Sequence, residues 1–175
     1  MAFQRSTVRL DADGLYAKGV AALARRSRSA AEIRKLLLPR AASDADLEDA
    51  LARLRDHGYL DDRRFAESYA RFQLDTEKHG RQRVTRDLRA RGVSDAVVAP
   101  AVRTAYAGHD DERLIRAFIA KKRLKRPENI RLAASLYRRL ILAGFSPSAV
   151  QQSLRRWKVD PEWVELLADA ELEER

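Results

Sequence analysis

The chain has 175 residues and a formal net charge of +9 at pH 7, and 45% of its residues are hydrophobic. This apolar content excludes a disordered chain, the absence of cysteine excludes disulfides and thiolate metal sites, and scarce glycine and proline favour helices. No apolar run is long enough to cross a bilayer, and residues 1–10 lack the apolar core of a signal peptide, so we expect a cytoplasmic protein without membrane contact.

The first predicted unit contains three helices with recognisable ends. Asp13 precedes the apolar run of the first helix, and Ser29 with Glu32 forms a capping box for the second. Ser43 caps the third helix, which ends at Gly58 in the left-handed conformation that glycine adopts most easily. The sequence therefore predicts three short helices in this unit.

The second unit opens with Asp61 and Asp62, whose carboxylates suit the exposed amides of a helix N-terminus. The predicted buried stripe of this helix contains three aromatic residues at spacings of four and three, together with one alanine: Phe65, Ala66, Tyr69 and Phe72. We expect Gly80 to break the helix. A further helix then ends at Gly92, and Ser94 caps the next one.

The third unit repeats this arrangement. Asp110 and Asp111 open its first helix, and Pro127 is placed in the first turn of its second helix, where proline is tolerated. Gly144 ends that helix, and Ser146 caps the third. A tenth, acidic helix follows. Its predicted inward residues are Trp163, Val164 and Leu167, and its predicted outward residues are Glu165, Glu171, Glu173 and Glu174.

The three units share four columns of apolar residues at a spacing of 51 to 52 residues. The columns are Ile33, Val84 and Leu136; Leu37, Leu88 and Leu140; Leu47, Val98 and Val150; and Leu51, Val102 and Leu154. Because units that reuse one buried face stack side by side, we predict an all-α fold. It is an elongated, curved tandem array of three three-helix, helix-turn-helix-like repeats plus a C-terminal helix. The predicted boundaries are 11–58, 59–108, 109–158 and 159–175.

Positive charge is concentrated in the third repeat. Residues 110–159 contain 13 Lys and Arg against four Asp and Glu, whereas residues 160–175 contain one against seven. The run that includes Lys121, Lys122 and Arg123 is dense enough to attract a polyanion such as nucleic acid through counterion release. The alternative interpretation is an ordinary solvated helix face.

The sequence carries no recognisable catalytic motif. It has no Gly-rich loop of the P-loop type, and its three histidines lie at predicted loops or helix ends without a second ligand at helical spacing. Asp61 and Asp62 could hold Mg²⁺ as in a nuclease, but their place at a helix start favours capping. We therefore predict a protein that is not an enzyme and has no metal or cofactor.

Aromatic and basic residues alternate around the start of the fourth helix. Tyr59, in the preceding turn, is expected to be exposed, and with Arg63 and Arg64 it would suit stacking on unpaired bases and contact with phosphates. The alternative, a core role, is favoured for the three residues of the aromatic stripe. A second basic cluster, at the junction of the first two helices, comprises Arg25, Arg26 and Arg28.

Several motifs follow one another in a fixed order along the first two units. The segment Gly58-Tyr59-Leu60-Asp61-Asp62-Arg63-Arg64-Phe65-Ala66 is followed by Tyr69, then by Lys78-His79-Gly80-Arg81 and Leu88-Arg89-Ala90-Arg91-Gly92-Val93. These motifs resemble the signature of the RecX family of bacterial recombinase regulators. Upstream, Leu23-Ala24-Arg25-Arg26-Ser27-Arg28-Ser29 with Glu32 and Leu36 resembles the family's first motif. The order and spacing of these motifs make the combination specific.

The resemblance implies a noncatalytic modulator of the RecA recombinase. Members of the family bind chiefly the filament that RecA forms on single-stranded DNA, and they suppress its ATPase, strand-exchange and coprotease activities in homologous recombination, DNA repair and the SOS response. They are all-helical tandem arrays of three-helix units. We accordingly expect a cytoplasmic monomer whose partners are RecA, its single-stranded DNA filament and DNA itself.

The resemblance also implies which residues bind RecA or DNA, namely the basic positions of the matched motifs together with the exposed tyrosine. They are Arg25, Arg26, Arg28, Tyr59, Arg63, Arg64, Lys78, Arg81 and Arg83. Lys121, Lys122 and Arg123 are added on charge alone.

Two alternative functions stay open at this point. The first is a stand-alone basic DNA-binding protein of helix-turn-helix type, which salt-sensitive binding to DNA without RecA would favour. The second is a nuclease that uses Asp61 and Asp62, which would require Mg²⁺-dependent cleavage.

Overall fold

The structure is a computed structural model that describes residues 9–173. These residues form ten α-helices and no β-strand, which confirms the predicted all-α class. The helices are α1 (Ala12–Arg25), α2 (Ala30–Leu37), α3 (Asp44–Asp56), α4 (Asp62–Phe72), α5 (Arg81–Ala90), α6 (Asp95–Ala105), α7 (Asp111–Lys121), α8 (Ile130–Leu142), α9 (Pro147–Arg156) and α10 (Pro161–Glu173). A 3-10 turn, Leu38–Arg40, follows α2, and a π-helical turn, Gln73–Glu77, follows α4. None of the helices in this part of the chain is long and apolar enough to cross a membrane.

All twelve residues of the four repeated columns are buried. Helices α3, α6 and α9 begin directly after Ser43, Ser94 and Ser146, at matching places in the three predicted repeats. A buried face at the same offsets in successive helix triplets is what tandem helical repeats require. The tandem helical architecture is therefore confirmed, while the boundaries of the repeats stay a prediction.

The chain divides into two compact units. The first unit ends at Ala66 and also takes in Leu88–Val98, and the second comprises Glu67–Asp87 and the residues from Ala99 onward. In the first unit, α1 packs against α3, and both contact α2. The core between these three helices contains Leu15, Ile33, Leu37, Leu47, Leu51 and Leu54, all of them fully or almost fully buried.

In the second unit, α7 packs against α9, and α10 contacts both α8 and α9. Phe118 and Phe145 meet edge to face in its core, with ring centroids 5.9 Å apart. The segment after the π-helical turn is tied to the end of α8 by two backbone bonds. Gly80 N–H donates to the carbonyl of Ala143 at 2.8 Å, and Gln82 N–H donates to the carbonyl of Gly144 at 3.2 Å.

Most of the predicted helix ends are confirmed. The serine side chains before α2, α3 and α9 accept a hydrogen bond from the third amide along, and these residues are Ser29, Ser43 and Ser146. Glu32 completes the capping box of α2, and Asp110 caps α7. Gly58, Gly92 and Gly144 end their helices with φ values of +70°, +76° and +93°.

Two helix starts differ from the prediction. Asp11, not Asp13, caps α1 by accepting from the amide of Gly14. Helix α8 begins after Asn129, whose side chain accepts from the amide of Leu132, so Pro127 precedes the helix instead of lying in its first turn. In both cases the residue immediately before the helix is extended and has a short polar side chain, which supplies the cap, and Asp13 lies within the first turn of α1.

The end of the fourth helix also differs. Lys78, with φ of +59°, takes the left-handed conformation after the π-helical turn, so Gly80 is not the residue that breaks the helix. Phe72 was predicted to be buried but is 53% exposed. Phe65 and Ala66 are buried, as predicted, and Tyr69 is partly buried. The inward face also contains the fully buried Ala70, since small residues let a helix pack closely.

In α10, Val164 is buried and Glu165 is exposed, as predicted. The outward placement predicted for the side chains of Glu171, Glu173 and Glu174 lies outside the described residues.

Candidate nucleic-acid interface

The cluster of Arg25, Arg26 and Arg28 lies at the junction of α1 and α2. Arg25 is the last residue of α1 and is exposed. Arg26 pairs with Glu32, with 3.6 Å between Nη2 and Oε1. Arg28 is partly buried, and its buried Nε has no hydrogen-bond partner among the described residues. The short loop therefore presents one exposed guanidinium, one paired guanidinium and one with an unsatisfied nitrogen.

Glu32 is the carboxylate that organises this junction. Its Oε2 accepts from the amide of Ser29 at 3.1 Å, and its Oε1 accepts from Nη1 of Arg91 at 3.0 Å. Ser29 is fully buried and donates its hydroxyl to the carbonyl oxygen of Arg91 at 2.5 Å. These bonds fasten the start of α2 to the turn that follows α5.

Asp61 and Asp62 act as helix caps, as predicted, but on two different helices. Asp61 Oδ1 accepts from the amide of Arg64 in the first turn of α4, at 2.9 Å. Asp62 Oδ1 accepts from the amide of Ala30, the first residue of α2, at 2.8 Å. Both carboxylates therefore satisfy amides that a helix leaves unpaired. The described residues contain no group of three or more acidic or histidine side chains that could hold a metal ion.

Tyr59 is 46% exposed, as predicted, and belongs to an aromatic cluster of the first unit. Its ring meets that of Tyr16 edge to face, with centroids 6.4 Å apart. The hydroxyl of Tyr16 lies 2.7 Å from Nδ1 of His57, and the guanidinium of Arg53 covers the Tyr16 ring at 4.7 Å. Tyr59 is thus placed against fixed neighbours while part of its ring stays open to solvent.

Arg63 and Arg64 both lie in the first turn of α4 and are exposed. Nη2 of Arg64 donates to the carbonyl of Gly58 at 2.6 Å, so this guanidinium supports the turn that carries Tyr59. Of the two residues, Arg64 therefore has a structural role within the turn in addition to its predicted role at the interface.

Three predicted residues, Lys78, Arg81 and Arg83, lie in the second unit just after the π-helical turn. Lys78 is partly exposed. Arg81 pairs with Asp111 at 3.3 Å, and Arg83 pairs with Asp87 at 3.6 Å. Two of these three cations are therefore engaged with acidic side chains of their own unit.

The basic run of the third predicted repeat meets a carboxylate of the π-helical turn. Lys121 Nζ lies 3.1 Å from Oε1 of Glu77 and also donates to the carbonyl of Thr76, while Lys122 Nζ lies 3.3 Å from Oε2 of Glu77. Hydrogen bonds from the two ammonium groups hold the pKa of Glu77 below its ordinary value. Arg123, the third predicted residue here, is exposed and has φ of +50°. One carboxylate thus partly neutralises the run.

A buried polar group lies beside this region. His79 Nδ1 is 2.6 Å from Oε1 of Gln73, and the hydroxyl of Tyr106 donates to the backbone carbonyl of His79 at 2.8 Å. Burial, reinforced by the nearby charge of Arg83, lowers the pKa of His79, and burial raises the pKa of Tyr106. His79 is therefore held as a neutral imidazole that helps to shape the end of the π-helical turn.

Sequence reasoning did not select two cations that the fold brings to the first basic cluster. Arg91 lies in the segment Leu88–Val93, but it is joined to Glu32 only through tertiary structure. Lys35 is exposed on α2, two residues before the end of that helix. The position of Arg91 directly before a helix-ending glycine was the signal in the sequence that this side chain sits at a turn.

Comparison with known proteins identifies relatives over most of this chain. The family model for the second three-helix domain of RecX matches residues 61–102. The regulatory protein RecX of Chromobacterium violaceum is 31% identical over 140 residues, which are 80% of this chain and 88% of that protein. The regulatory protein RecX of Treponema pallidum is 29% identical over 142 residues, which are 81% and 76% of the two chains.

Solved structures agree with the fold. The crystal structure of RecX from Lactobacillus salivarius matches with a TM-score of 0.68 at 18% identity, and the match covers 83% of this chain and 96% of that one. A second crystal structure of a regulatory protein RecX matches with a TM-score of 0.65 at 22% identity, over 83% and 73% of the two chains. At these identities the structures support the helical fold alone.

Proposed function

The chain belongs to the RecX family, and we propose that it is a noncatalytic regulator that inhibits the RecA recombinase. It binds the filament of RecA on single-stranded DNA and suppresses ATP hydrolysis, strand exchange and coprotease activity. It acts as a cytoplasmic monomer in recombinational DNA repair and the SOS response and uses no cofactor. The observation that carries the proposal is the similarity to proteins named as RecX regulators over most of the chain.

The arrangement of the basic side chains is consistent with a partner that carries a polyanion. Arg25 and Arg28 lie at the loop between α1 and α2 in the first unit, and the ring of Tyr59 is partly exposed on the same unit. Guanidinium groups and exposed aromatic rings are the two elements with which proteins hold single-stranded nucleic acid, by phosphate contact and by stacking on bases. We propose the twelve residues predicted from the sequence as the surface that meets RecA or its DNA.

The experiment that tests this proposal measures the single-stranded-DNA-dependent ATP hydrolysis of RecA while this protein is titrated in. We expect inhibition at concentrations well below that of RecA, because one regulator acting on a filament affects many subunits. The triple variant Arg25→Ala, Arg26→Ala, Arg28→Ala should inhibit more weakly. The matched control, Arg40→Ala, Arg55→Ala, Arg103→Ala, removes the same charge from exposed positions outside the proposed surface and should inhibit normally.

The outcomes separate the parts of the proposal. No inhibition at stoichiometric concentration would contradict the function and leave stand-alone DNA binding as the better account of the chain. Equal weakening by the two triple variants would retain the function but refute the assignment of the arginine cluster, since net charge alone would then explain the loss.

A further inference from the structure

A notch open to solvent lies in the first compact unit, between α2 and the turn that follows α5. Its volume is about 540 Å³. Three cations and one carboxylate line it, and they are Arg28, Lys35, Arg91 and Glu32. The lining therefore has a surplus of positive charge.

The one carboxylate in the lining is already engaged. Glu32 accepts hydrogen bonds from the amide of Ser29 and from the guanidinium of Arg91. In addition, Nη2 of Arg26 lies 3.6 Å from its Oε1. By contrast, the buried Nε of Arg28 donates to no described atom. No acceptor or acidic side chain among the described residues therefore engages the guanidinium of Arg28 at this nitrogen. An anion in the notch would supply a partner for its positive charge.

The walls of the notch are fixed without any ligand. The hydroxyl of Ser29 bonds the carbonyl of Arg91, and Gly92, at φ of +76°, lies so close that a Cβ atom on it would overlap Cβ of Ala31. Arg91 is further held by Glu32. Because this wall is placed in advance, binding an anion requires the ordering of few further side chains.

We propose that this notch binds a phosphodiester group of a nucleic-acid strand. Arg28 and Lys35 supply the charges that meet the phosphate, and Arg91 forms the fixed wall. This inference rests on the proposed function and deepens it, since it names the place where the chain would hold the strand within the RecA filament.

A nucleic-acid strand suits the notch better than an acidic side chain does. The planar guanidinium of arginine matches the oxygens of a phosphate, which can accept two parallel bonds. The same loop also carries Arg25 and Arg26, so cations continue beyond the notch. A row of cations matches a polymer that bears one charge at every residue, whereas a single carboxylate would leave most of the row without a partner.

The test measures binding of a fluorescently labelled oligothymidylate of about 20 nucleotides by anisotropy, without RecA, between about 50 and 200 mM salt. The double variant Arg28→Gln, Lys35→Gln should lose about tenfold in affinity at the lowest salt. The negative slope of the logarithm of the binding constant against the logarithm of the salt concentration should become shallower by about 0.7, the value for one phosphate on a single strand. The control Arg40→Gln, Arg55→Gln lowers the net charge equally, at exposed positions of the same unit, and should keep its slope.

Two results would overturn the proposal. The first is an equal loss of affinity in the notch variant and the control, which would reduce the effect to net charge. The second is that binding of a polyglutamate peptide depends on Arg28 and Lys35 whereas binding of the oligonucleotide does not. The occupant of the notch would then be an acidic protein segment. The single variant Lys35→Glu, at an exposed position, gives the same readout if the double variant fails to fold.

The notch and the proposed function fail in different assays. If the protein binds DNA through the notch but leaves the ATPase of RecA unchanged, the regulatory function is wrong and the notch stands. If the protein inhibits RecA and the notch variant binds DNA like the wild type, the notch is wrong and the function stands.

Discussion

Gly80 and Gly144 pack backbone against backbone, and neither has room for a side chain. A Cβ atom on Gly80 would overlap the carbonyl oxygen of Gly144, and a Cβ atom on Gly144 would overlap the amide of Arg83. The two backbone hydrogen bonds of this contact join the segment after the π-helical turn to the end of α8. The contact therefore fixes where Lys78 and Arg81 stand within the second unit.

The first prediction concerns this contact. We expect Gly144→Ala to destabilise the protein by about 3 kcal/mol, because an alanine at positive φ costs about 1–2 kcal/mol and overpacking adds about 1–3 kcal/mol. Gly108→Ala is the matched control, since Gly108 has φ of +72° with open space around it. This substitution should therefore cost only the backbone strain of about 1–2 kcal/mol. Urea unfolding measures both, and equal losses would show that the backbone contact contributes nothing beyond the strain in φ.

The second prediction concerns Ser29. Ser29→Ala removes the cap of α2, worth about 1 kcal/mol, and also deprives the carbonyl of Arg91 of its donor, worth about a further 1–3 kcal/mol. Ser43→Ala removes a cap of the same kind from an exposed serine and should cost only the first amount. Thermal unfolding of the two variants compares them. If Ser43→Ala proves as costly as Ser29→Ala, the tie to Arg91 has no energetic weight.

The third prediction concerns pH. The pKa of His79 is lower in the folded chain than its ordinary value of 6.5, mainly through burial, so the unfolded chain binds more protons below that pH. The contribution of the neutral His79 to the free energy of unfolding should therefore be fully present above about pH 6.5. It should decrease as the pH falls toward the lowered pKa. Glu48 and Glu77, whose pKa values are also lowered, act only below about pH 4.5.

The variant His79→Asn tests this assignment, because asparagine keeps a donor for Gln73 but does not titrate in this range. Urea unfolding at several pH values between about 5 and 7.5 should give a smaller decrease in stability for the variant than for the wild type. Parallel pH profiles would mean that another group accounts for the loss. The comparison uses slopes, so a lower overall stability of the variant does not affect it.

The fourth prediction concerns Glu77. Glu77→Gln should raise the affinity for single-stranded DNA a few-fold at low salt, because Lys121 and Lys122 lose the carboxylate that neutralises them. Stability should change little, since partly exposed ion pairs contribute little. Glu48→Gln changes the net charge equally by releasing Arg34, which lies outside the predicted interface, and should leave affinity nearly unchanged. An unchanged affinity for Glu77→Gln would remove the two lysines from the proposed surface.

Local features of the fold could be read from the sequence. The serine caps depend on spacings within one helical turn, and neighbouring columns of the repeat lie four residues apart on one helix, as Ile33 and Leu37 do. Such local spacings do not depend on the tertiary arrangement. This is why the caps of α2, α3 and α9 and the burial of all twelve column residues agree with the prediction. The exposure of Tyr59 was predictable for the same reason, since it lies in a turn.

Features that depend on a distant partner could not be predicted. Phe72 continues the predicted stripe of Phe65 and Ala66, yet it is exposed, and Ala70 lies on the face that packs. Gly80 has its role only because Gly144 comes close to it. Nor could the sequence show that Asp62 would cap α2 instead of its own helix, because that contact joins residues far apart in the chain.

In the candidate interface too, local features were predictable from the sequence and tertiary contacts were not. The sequence selected cations by density and by resemblance, and it placed Arg26 and Arg28 correctly in one loop. It could not show that several of the selected cations have acidic partners within the fold. These pairs are Arg26 with Glu32, Arg81 with Asp111, Arg83 with Asp87, and Lys121 and Lys122 with Glu77. Net charge therefore overstates how much positive charge is available to a partner.

The π-helical turn Gln73–Glu77 has a further consequence for how this segment can change in length. A π-helical turn accommodates one residue more than an α-helical turn does, so deleting one residue, such as the exposed Asp75, would restore ordinary helical winding. Because the wider winding takes up the extra residue within one full turn, the residues after the deletion would keep nearly the same rotation about the helix axis. Glu77 would then still face Lys121 and Lys122. We therefore expect the segment to tolerate the loss of one residue at this turn, whereas a deletion within a regular α-helix would rotate all that follows by about 100°.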